Sequence, residues 1–462
     1  MEYKLSLEQF RNGKMFNSKG KFIHNSGYRF KMFPFKSNNR NTVLELRPLV
    51  GGYLCKLAGH KPKLVQVEEL VDQLKAETEI EPGREEFFGE IIRQLFFETN
   101  ERIRPLNLQF LERIPCSSID ESKIAEYLVD VLGDKIANKN VLEKAREQTL
   151  KNNNVLENAV LSKMQYEADI EIGQDIPYFS VTNALKSVFE EDFAYILEMP
   201  KQSTEYMVDL LEFYFFSYTA QTVLQLNKFM DGDRETITPL YFCLEWEKTS
   251  QGRLCYTDGW KKLQNAIKKM FAHVLVLEIL NQTEAGSELV DYIKLSELIS
   301  DDETDRKISG KIDMLTSCYR NEITDCPQMH ELDKKITTQG ATADSVRYLF
   351  DNVRVQFEST GRSKVYTSYS NEFEAYCHKY LKHRGRSGLV LNMSEELLIF
   401  ITKLCIKNEE QMRLKDVFKA FERRAIFLDN ISREHVANYY EKLNLIEKKS
   451  DSGDAKYVKR IL

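Results

Sequence analysis

Glu205-Tyr206-Met207-Val208-Asp209-Leu210-Leu211-Glu212-Phe213-Tyr214-Phe215-Phe216-Ser217-Tyr218-Thr219-Ala220-Gln221-Thr222-Val223-Leu224-Gln225-Leu226-Asn227-Lys228 contains neither Gly nor Pro. Its apolar residues Met207, Leu210, Leu211, Tyr214, Phe215, Tyr218, Val223, Leu224 and Leu226 fall nearly all round a helix. A helix apolar on every side belongs at the centre of a bundle, because a surface helix needs only one stripe. The uncharged stretch 213–227 is 15 residues long and includes Ser217, Thr219, Gln221, Thr222, Gln225 and Asn227. A membrane-spanning helix needs about 20 predominantly apolar residues, so the bundle is expected without a membrane.

Moving outward, helical periodicity recurs on both sides. In 84–99 the pairs Phe87/Phe88, Ile91/Ile92 and Leu95/Phe96 form a buried stripe. The 119–150 stretch reads as one or two helices, with Ser118 or Asp120 as N-cap and Asn152-Asn153-Asn154 as the interruption. A long helix is expected over 259–280, and another from 343 to 357 after a break near 336–341. Asp301-Asp302-Glu303-Thr304-Asp305 reads as an acidic surface loop. Residues 241–248 and 254–256, separated by Ser250-Gln251-Gly252, suggest a short β-hairpin. The chain holds 20 Gly and 10 Pro in 462 residues. Average usage would supply about 7% and 5%, so long helices are favoured over a turn-rich sandwich.

The C-terminal part changes character. Lys379-Tyr380-Leu381-Lys382-His383-Arg384-Gly385-Arg386-Ser387-Gly388 reads as a basic connector, over 379–390. Beyond it, Ser394 caps a helix over 395–407, 412–414 is extended, 416–427 is a second helix, and Ser432 caps a third that reaches 443. Short strands at 445–449 and 455–461 flank the polar turn Ser450-Asp451-Ser452-Gly453-Asp454. Helix, strand, helix, helix, strand, wing, strand is the winged helix-turn-helix order, assigned to 391–462. The fold expected is therefore mainly α. It comprises a basic, aromatic-rich N-terminal segment with some β structure (1–65), a multi-helix bundle body (66–378) and the C-terminal winged helix.

Charge is unevenly distributed. Residues 11–64 hold 12 Lys/Arg against the single acid Glu45, a local +11 in a chain of net charge −6. Phe16, Phe22, Tyr28, Phe30, Phe33 and Phe35 alternate there with Lys14, Lys19, Lys21, Arg29, Lys31 and Lys36. Cations neutralise phosphates while aromatic rings stack on bases, which makes this a candidate polyanion surface. The heavier reading is that the rings form a small core, since so many exposed aromatics would be costly. Further candidate DNA contacts are Lys382, Arg384 and Arg386 in the connector, Arg433, Asn438 and Lys442 on the third helix, and Lys448, Lys449, Lys456 and Arg460 in the wing.

Catalytic motifs are sparse. Gly-Lys occurs at 13–14, 20–21 and 310–311, but no Ser or Thr follows and no Gly lies five residues upstream, so a phosphate-cradling loop is missing. Asp305-Arg306-Lys307, Asp333-Lys334-Lys335 and Asp454-Ala455-Lys456 fit half of a nuclease acid-x-Lys pattern, which chance supplies in a chain that is 29% charged. Cys318, Cys326, His330, Cys377 and His378 have the wrong spacing for a zinc knuckle. No catalytic residue, cofactor or metal is assigned. Eight scattered cysteines without a CxxC pair, and an N-terminus Met1-Glu2-Tyr3-Lys4 without an apolar h-region, point to the cytoplasm.

One resemblance emerges from these residues. Lys382-His383-Arg384-Gly385-Arg386-Ser387-Gly388, Leu391-Asn392-Met393-Ser394-Glu395-Glu396, Phe421-Glu422-Arg423-Arg424-Ala425-Ile426-Phe427 and, most specifically, 445–455 resemble the DptG family. Trp246-Glu247-Lys248-Thr249-Ser250 and Gly259-Trp260-Lys261 are similar to it as well. DptG is a subunit of DNA phosphorothioation-dependent restriction systems. The resemblance, strongest over about the last 85 residues, implies a role in antiphage defence beside ATPase and helicase-like subunits of the same complex. The expectation is a non-catalytic subunit that engages DNA. The alternatives are a purely protein–protein scaffold and a nuclease with a diverged metal site.

Overall fold

Side-chain caps set many of the helix starts. Asn107, Ser118, Asp134 and Asn154 each accept a first-turn backbone N–H, opening Leu108–Glu112, Ile119–Val131, Lys135–Asn152 and Val155–Lys163. The 119–150 stretch is thus two helices, parted at Gly133, whose φ of +73° suits glycine. Asp301–Asp305 is not the loop expected. Asp301 Oδ1 accepts the N–H of Thr304 at 2.7 Å, and the following acids fill the first turn of Asp302–Glu322, where they complement the helix dipole.

These elements come from a computed structural model, which describes residues 3–12, 15–17, 20, 22–36, 46–63, 66–168, 176–199, 203–448 and 456–461. The fold is mainly helical with three small sheets among the described residues. No helix among them is long and apolar enough to cross a membrane.

The chain forms two compact units, one of Met1–Asn41, Ile176–Leu185 and Phe216–Leu462, the other of Thr42–Asp175 and Lys186–Phe215. The second unit packs Leu46–Ala58 against Ile119–Val131 and Leu108–Glu112. Gly51-Gly52 permits this approach, because a Cβ on Gly51 would lie 2.3 Å from the Ile114 carbonyl oxygen and one on Gly52 2.2 Å from Cys116 Sγ. Strands β1 (His60–Pro62) and β2 (Tyr166–Ala168) pair antiparallel beside it. Glu112 is buried there with Arg146 at 2.7 Å and the Tyr166 hydroxyl at 2.9 Å.

In the first unit the helix Met270–Leu280 is buried along its whole length. It is not continuous with the preceding turn: 259–280 divides into Lys261–Ile267 and Met270–Leu280, with Lys268-Lys269 between. The N-terminal segment runs against it, with Phe22, Phe30, Met32, Phe33 and Phe35 buried. Glu278 accepts the backbone N–H groups of Gly27, Tyr28, Arg29 and Phe30 at 2.9–3.1 Å. Four of the six rings, Phe22, Phe30, Phe33 and Phe35, are core, as the burial argument favoured, whereas Phe16 is half-buried and Tyr28 is exposed.

The expected hairpin at 241–256 does not form. Strand β3 (Tyr241–Leu244) instead lies in a four-stranded sheet with β4 (Leu381–His383), β5 (Leu389–Met393) and β7 (Phe427–Leu428), in the order β4-β5-β3-β7. It runs parallel to β5 and β7. Phe242, Cys243 and Leu244 are all buried, which suits an inner strand better than one side of an exposed hairpin. The connector is likewise ordered structure, since β4 and the start of β5 occupy it.

Candidate nucleic-acid interface

The C-terminal residues build helix Glu395–Ile406, β6 (Gln411–Arg413), helix Leu414–Glu422, β7, helix Asn430–Lys442, β8 (Ile446–Lys448) and β9 (Lys456–Lys459). β6, β9 and β8 form an antiparallel sheet in that order, with the buried Val458 opposite Met412 and Ile446. Ser394 caps the first helix as expected. The second helix is shorter than expected, because Ala425 adopts φ +62° and the chain turns into β7. Asp429, not Ser432, caps the third helix, accepting the Ser432 N–H at 2.9 Å.

Ser432 has other work. Its buried hydroxyl lies 2.9 Å from Arg253 Nη2 and donates to Glu247 Oε2 at 3.0 Å. Arg253 also holds Asp429 through Nε and Nη2 at 2.7 and 2.6 Å and Glu247 at 2.9 Å. Desolvation pushes the Asp429 carboxyl up, but hydrogen bonds from Arg253 outweigh it and hold the group below the usual range. Trp246 adds a ring contact to Tyr439 of the same helix, centroids 4.7 Å apart. The 246–253 stretch therefore fixes the third helix in place. Arg424, only 1% exposed, fastens the other two by donating to the carbonyl oxygens of Leu404 at 3.0 Å and Ala420 at 2.8 Å.

Most candidate cations have intramolecular partners. Arg29 donates to the carbonyl oxygens of Asn281 at 3.2 Å and Thr283 at 2.5 Å and to Gln9 at 3.2 Å. Lys31 sits over the Tyr178 ring at 4.2 Å, and the backbone N–H of Lys36 donates to Glu372 at 3.1 Å. Lys382 pairs with Glu245 at 2.8 Å. Arg384 turns inward to the carbonyl oxygens of Glu247 and Leu244 at 3.0 and 2.7 Å and to Asn392 at 3.0 Å. Its guanidinium also reaches Cys243, whose thiol is held below its usual range by the hydrogen bond with Cys255 and by Arg384. Arg433 binds Glu422 at 2.6 Å and the Leu428 carbonyl at 3.0 Å. Lys456 binds Glu441 at 3.0 Å and Arg460 binds Asn408 at 3.2 Å.

The remaining candidates differ. Arg386, Asn438 and Lys442 are exposed, and their side chains make no hydrogen bond or ion pair among the described residues. Lys415 and Lys459 share this state. Sequence reading passes over Lys415, because one lysine in a first helical turn carries no pattern. The exposed residues of Asn430–Lys442, namely Asn430, Ile431, Glu434, Asn438, Glu441 and Lys442, recur at spacings of three and four and share one face. Lys448 contributes its backbone to β8. Lys14, Lys19, Lys21, Lys449 and the turn 450–455 lie outside the described residues.

Among the described residues no group of three or more His, Cys, Asp or Glu side chains is arranged to hold a metal ion. Asp305 of one acid-x-Lys triplet accepts the N–H groups of Ala341 and Thr342 at 2.8 Å, and in a second triplet the middle residue, Lys334, pairs with Asp313 at 2.7 Å. His330 is bound to the Ile323 carbonyl at 2.9 Å. No protein-family model matches the chain, and no curated protein matches it.

Proposed function

We propose that this chain is a non-catalytic, DNA-engaging and scaffolding subunit of a phosphorothioation-dependent restriction complex acting in the cytoplasm. In this reading the three C-terminal helices and the β6-β9-β8 sheet are a winged helix-turn-helix, with Asn430–Lys442 as the helix presented to duplex. The observation that carries it is a group of exposed polar side chains on this module without a partner among the described residues: Asn438 and Lys442 on the helix, Lys415 on Leu414–Glu422 and Lys459 in β9. An exposed lysine without a carboxylate loses nothing internal when it takes a phosphate, whereas Arg384 or Arg433 would have to abandon existing bonds. The resemblance to DptG over 382–396, 421–427 and 445–455 supplies the system. The missing phosphate-cradling loop assigns ATP hydrolysis to partner subunits.

A second reading has its own support. Ile431 is 49% exposed and Glu434 and Glu441 lie on the same face as Lys442, a mixture of signs and apolar surface that suits a protein partner. Titration of the full chain with matched duplexes, unmodified and phosphorothioated, at several salt concentrations separates the two. DNA engagement predicts a log–log salt slope of about −0.9 per phosphate contacted. Absence of binding at low salt assigns the face to a protein partner, and a difference between the duplexes locates the sensor of the sulfur mark in this chain.

A further inference from the structure

The break at Lys268-Lys269 has a second consequence. Both lysines line a cavity of ≈ 640 Å³, within the range of about 300–1,000 Å³ typical of small-molecule sites. Two other cations share it. Arg354 is neutralised by Asp351 at 3.3 Å and Glu358 at 2.7 Å. Arg347 pairs with Asp231 at 3.4 Å, a carboxylate that also accepts from Gln339 at 2.8 Å, and its guanidinium lies over the Phe229 ring, 5.4 Å from the centroid. Lys268 and Lys269 form no ion pair among the described residues, although Glu374 lies near enough to Lys268 to feel its charge. Among the described residues the cavity therefore carries two lysines without an ion pair, Lys268 and Lys269, beside an arginine held by one long pair.

Its other walls are aromatic. Phe229 and Phe350 meet edge to face with centroids 5.0 Å apart, and both rest on the buried ring of His273. Burial, with Lys269 nearby, lowers the His273 pKa to about 3, so this ring behind the wall is neutral. Phe229 holds φ +54°, a conformation costly for a bulky residue and kept only where the surroundings enforce it. Two donors on the lining side chains, Arg347 Nε and the Tyr366 hydroxyl, are buried without an acceptor. Rotation of either against an acceptor-rich anion would satisfy it.

We propose that this cavity binds a nucleotide, with its phosphate between Lys268, Lys269 and Arg347 and its base against Phe350 and Phe229. The two unpaired lysines and the unmet donors suit an acceptor-rich anion, and Phe229 and Phe350 in the lining suit one that carries a flat ring. The site is independent of the DNA reading, since it shares no residue with the C-terminal module.

Calorimetric titration of the full chain with AMP, ATP and inorganic phosphate tests it. AMP or ATP is expected to bind about tenfold or more tightly than phosphate, and Lys268→Glu with Lys269→Glu is expected to weaken nucleotide binding at least about tenfold. Unchanged circular dichroism and melting of that variant exclude a folding defect, and Arg347→Gln supplies a second variant at the phosphate end. Lys442→Ala should bind nucleotide as the parent does. No heat with either nucleotide at millimolar concentration overturns the proposal. So does nucleotide binding that survives the double lysine substitution, or phosphate binding as tightly as AMP.

Discussion

The N-terminal residues 22–36 and the C-terminal residues 411–461 are both rich in cations, and they use them differently. In the first region Arg29 closes on the carbonyl oxygens of Asn281 and Thr283, just beyond the end of Met270–Leu280, while Lys31 lies on a ring. In the second, Arg424 and Arg433 do similar internal work, but Lys415, Lys442 and Lys459 are left to solvent. The contrast follows residue type as much as region. A guanidinium bonds several acceptors at once from one plane, so it suits helix ends where carbonyl oxygens cluster, whereas an ammonium is strongly hydrated and cheap to leave outside. The division is not absolute: Arg306 and Arg386 are exposed without a partner among the described residues, while Lys382, Lys419 and Lys456 are paired. Local basicity therefore does not mark a phosphate surface by itself; the supply of internal acceptors decides which cations remain available.

The sharpest way to break this contrast is to remove an inward arginine. Arg253→Ala strands Glu247, whose side chain is 0% exposed, and releases Asp429 and Ser432 from the start of the 430–442 helix. Leaving a buried charge without its partner costs about 3–5 kcal/mol. Urea unfolding should show that loss, together with faster proteolysis of the C-terminal residues. A loss of less than about 1 kcal/mol would mean that the 246–253 clasp is not what fixes the helix.

Arg29 comes next. Arg29→Ala removes bonds from a charged donor to two carbonyl oxygens, each worth about 1.5–3 kcal/mol. Arg29→Lys should restore little of the stability, because an ammonium cannot reproduce the fork that spans Asn281, Thr283 and Gln9. Full rescue by lysine, read as equal melting temperatures, would remove the distinction between the two cations on which the contrast rests.

Glu278 tests the same segment through pH. Burial raises its pKa despite the four backbone N–H groups that favour the ionised form. The folded chain thus holds this proton more tightly than the unfolded chain. The stability it contributes is present below the unfolded value and is lost as pH rises through the folded one. Glu278→Gln should flatten that segment of the stability–pH curve, when parent and variant are unfolded in urea across the acid range. An unchanged slope would show that Glu278 does not titrate there.

How much of this was legible beforehand varies with the physics behind each feature. Helices with caps or stripes, such as 203–226 and 395–406, are written locally and are legible close to their observed ends, while at 119–150 the start is legible and the division near Gly133 is not. β3 was not, because parallel pairing with β5 and β7 joins residues about 150 or more positions apart, and nothing near Tyr241 encodes those partners. Asp301–Asp305 was misread because an acidic run is equally suited to a loop and to a helix first turn. At the candidate interface Asn438 and Lys442 follow from helical spacing, but whether a cation is already engaged depends on acceptors distant in sequence. Arg384 meets Leu244 and Glu247 across about 140 residues, and no reading of 382–388 alone reveals that.

The smallest effects on stability belong to the outward lysines, and there the two uses of cations separate most cleanly. Ala at Lys415, Lys442 and Lys459 removes no internal bond, so each substitution should change stability by no more than about 0.5 kcal/mol. If these lysines meet phosphates, each loss should also lower the magnitude of the log–log salt slope of duplex binding by about 0.9. Lys456→Ala provides the internal comparison, because it breaks the pair with Glu441 and removes one positive charge from β9. The lower net positive charge should weaken duplex binding whether or not Lys456 itself meets a phosphate. Equal salt slopes for the parent and the triple lysine variant would leave these exposed cations without a phosphate to neutralise, and would transfer the helix face with Ile431 and Glu434 to a protein partner.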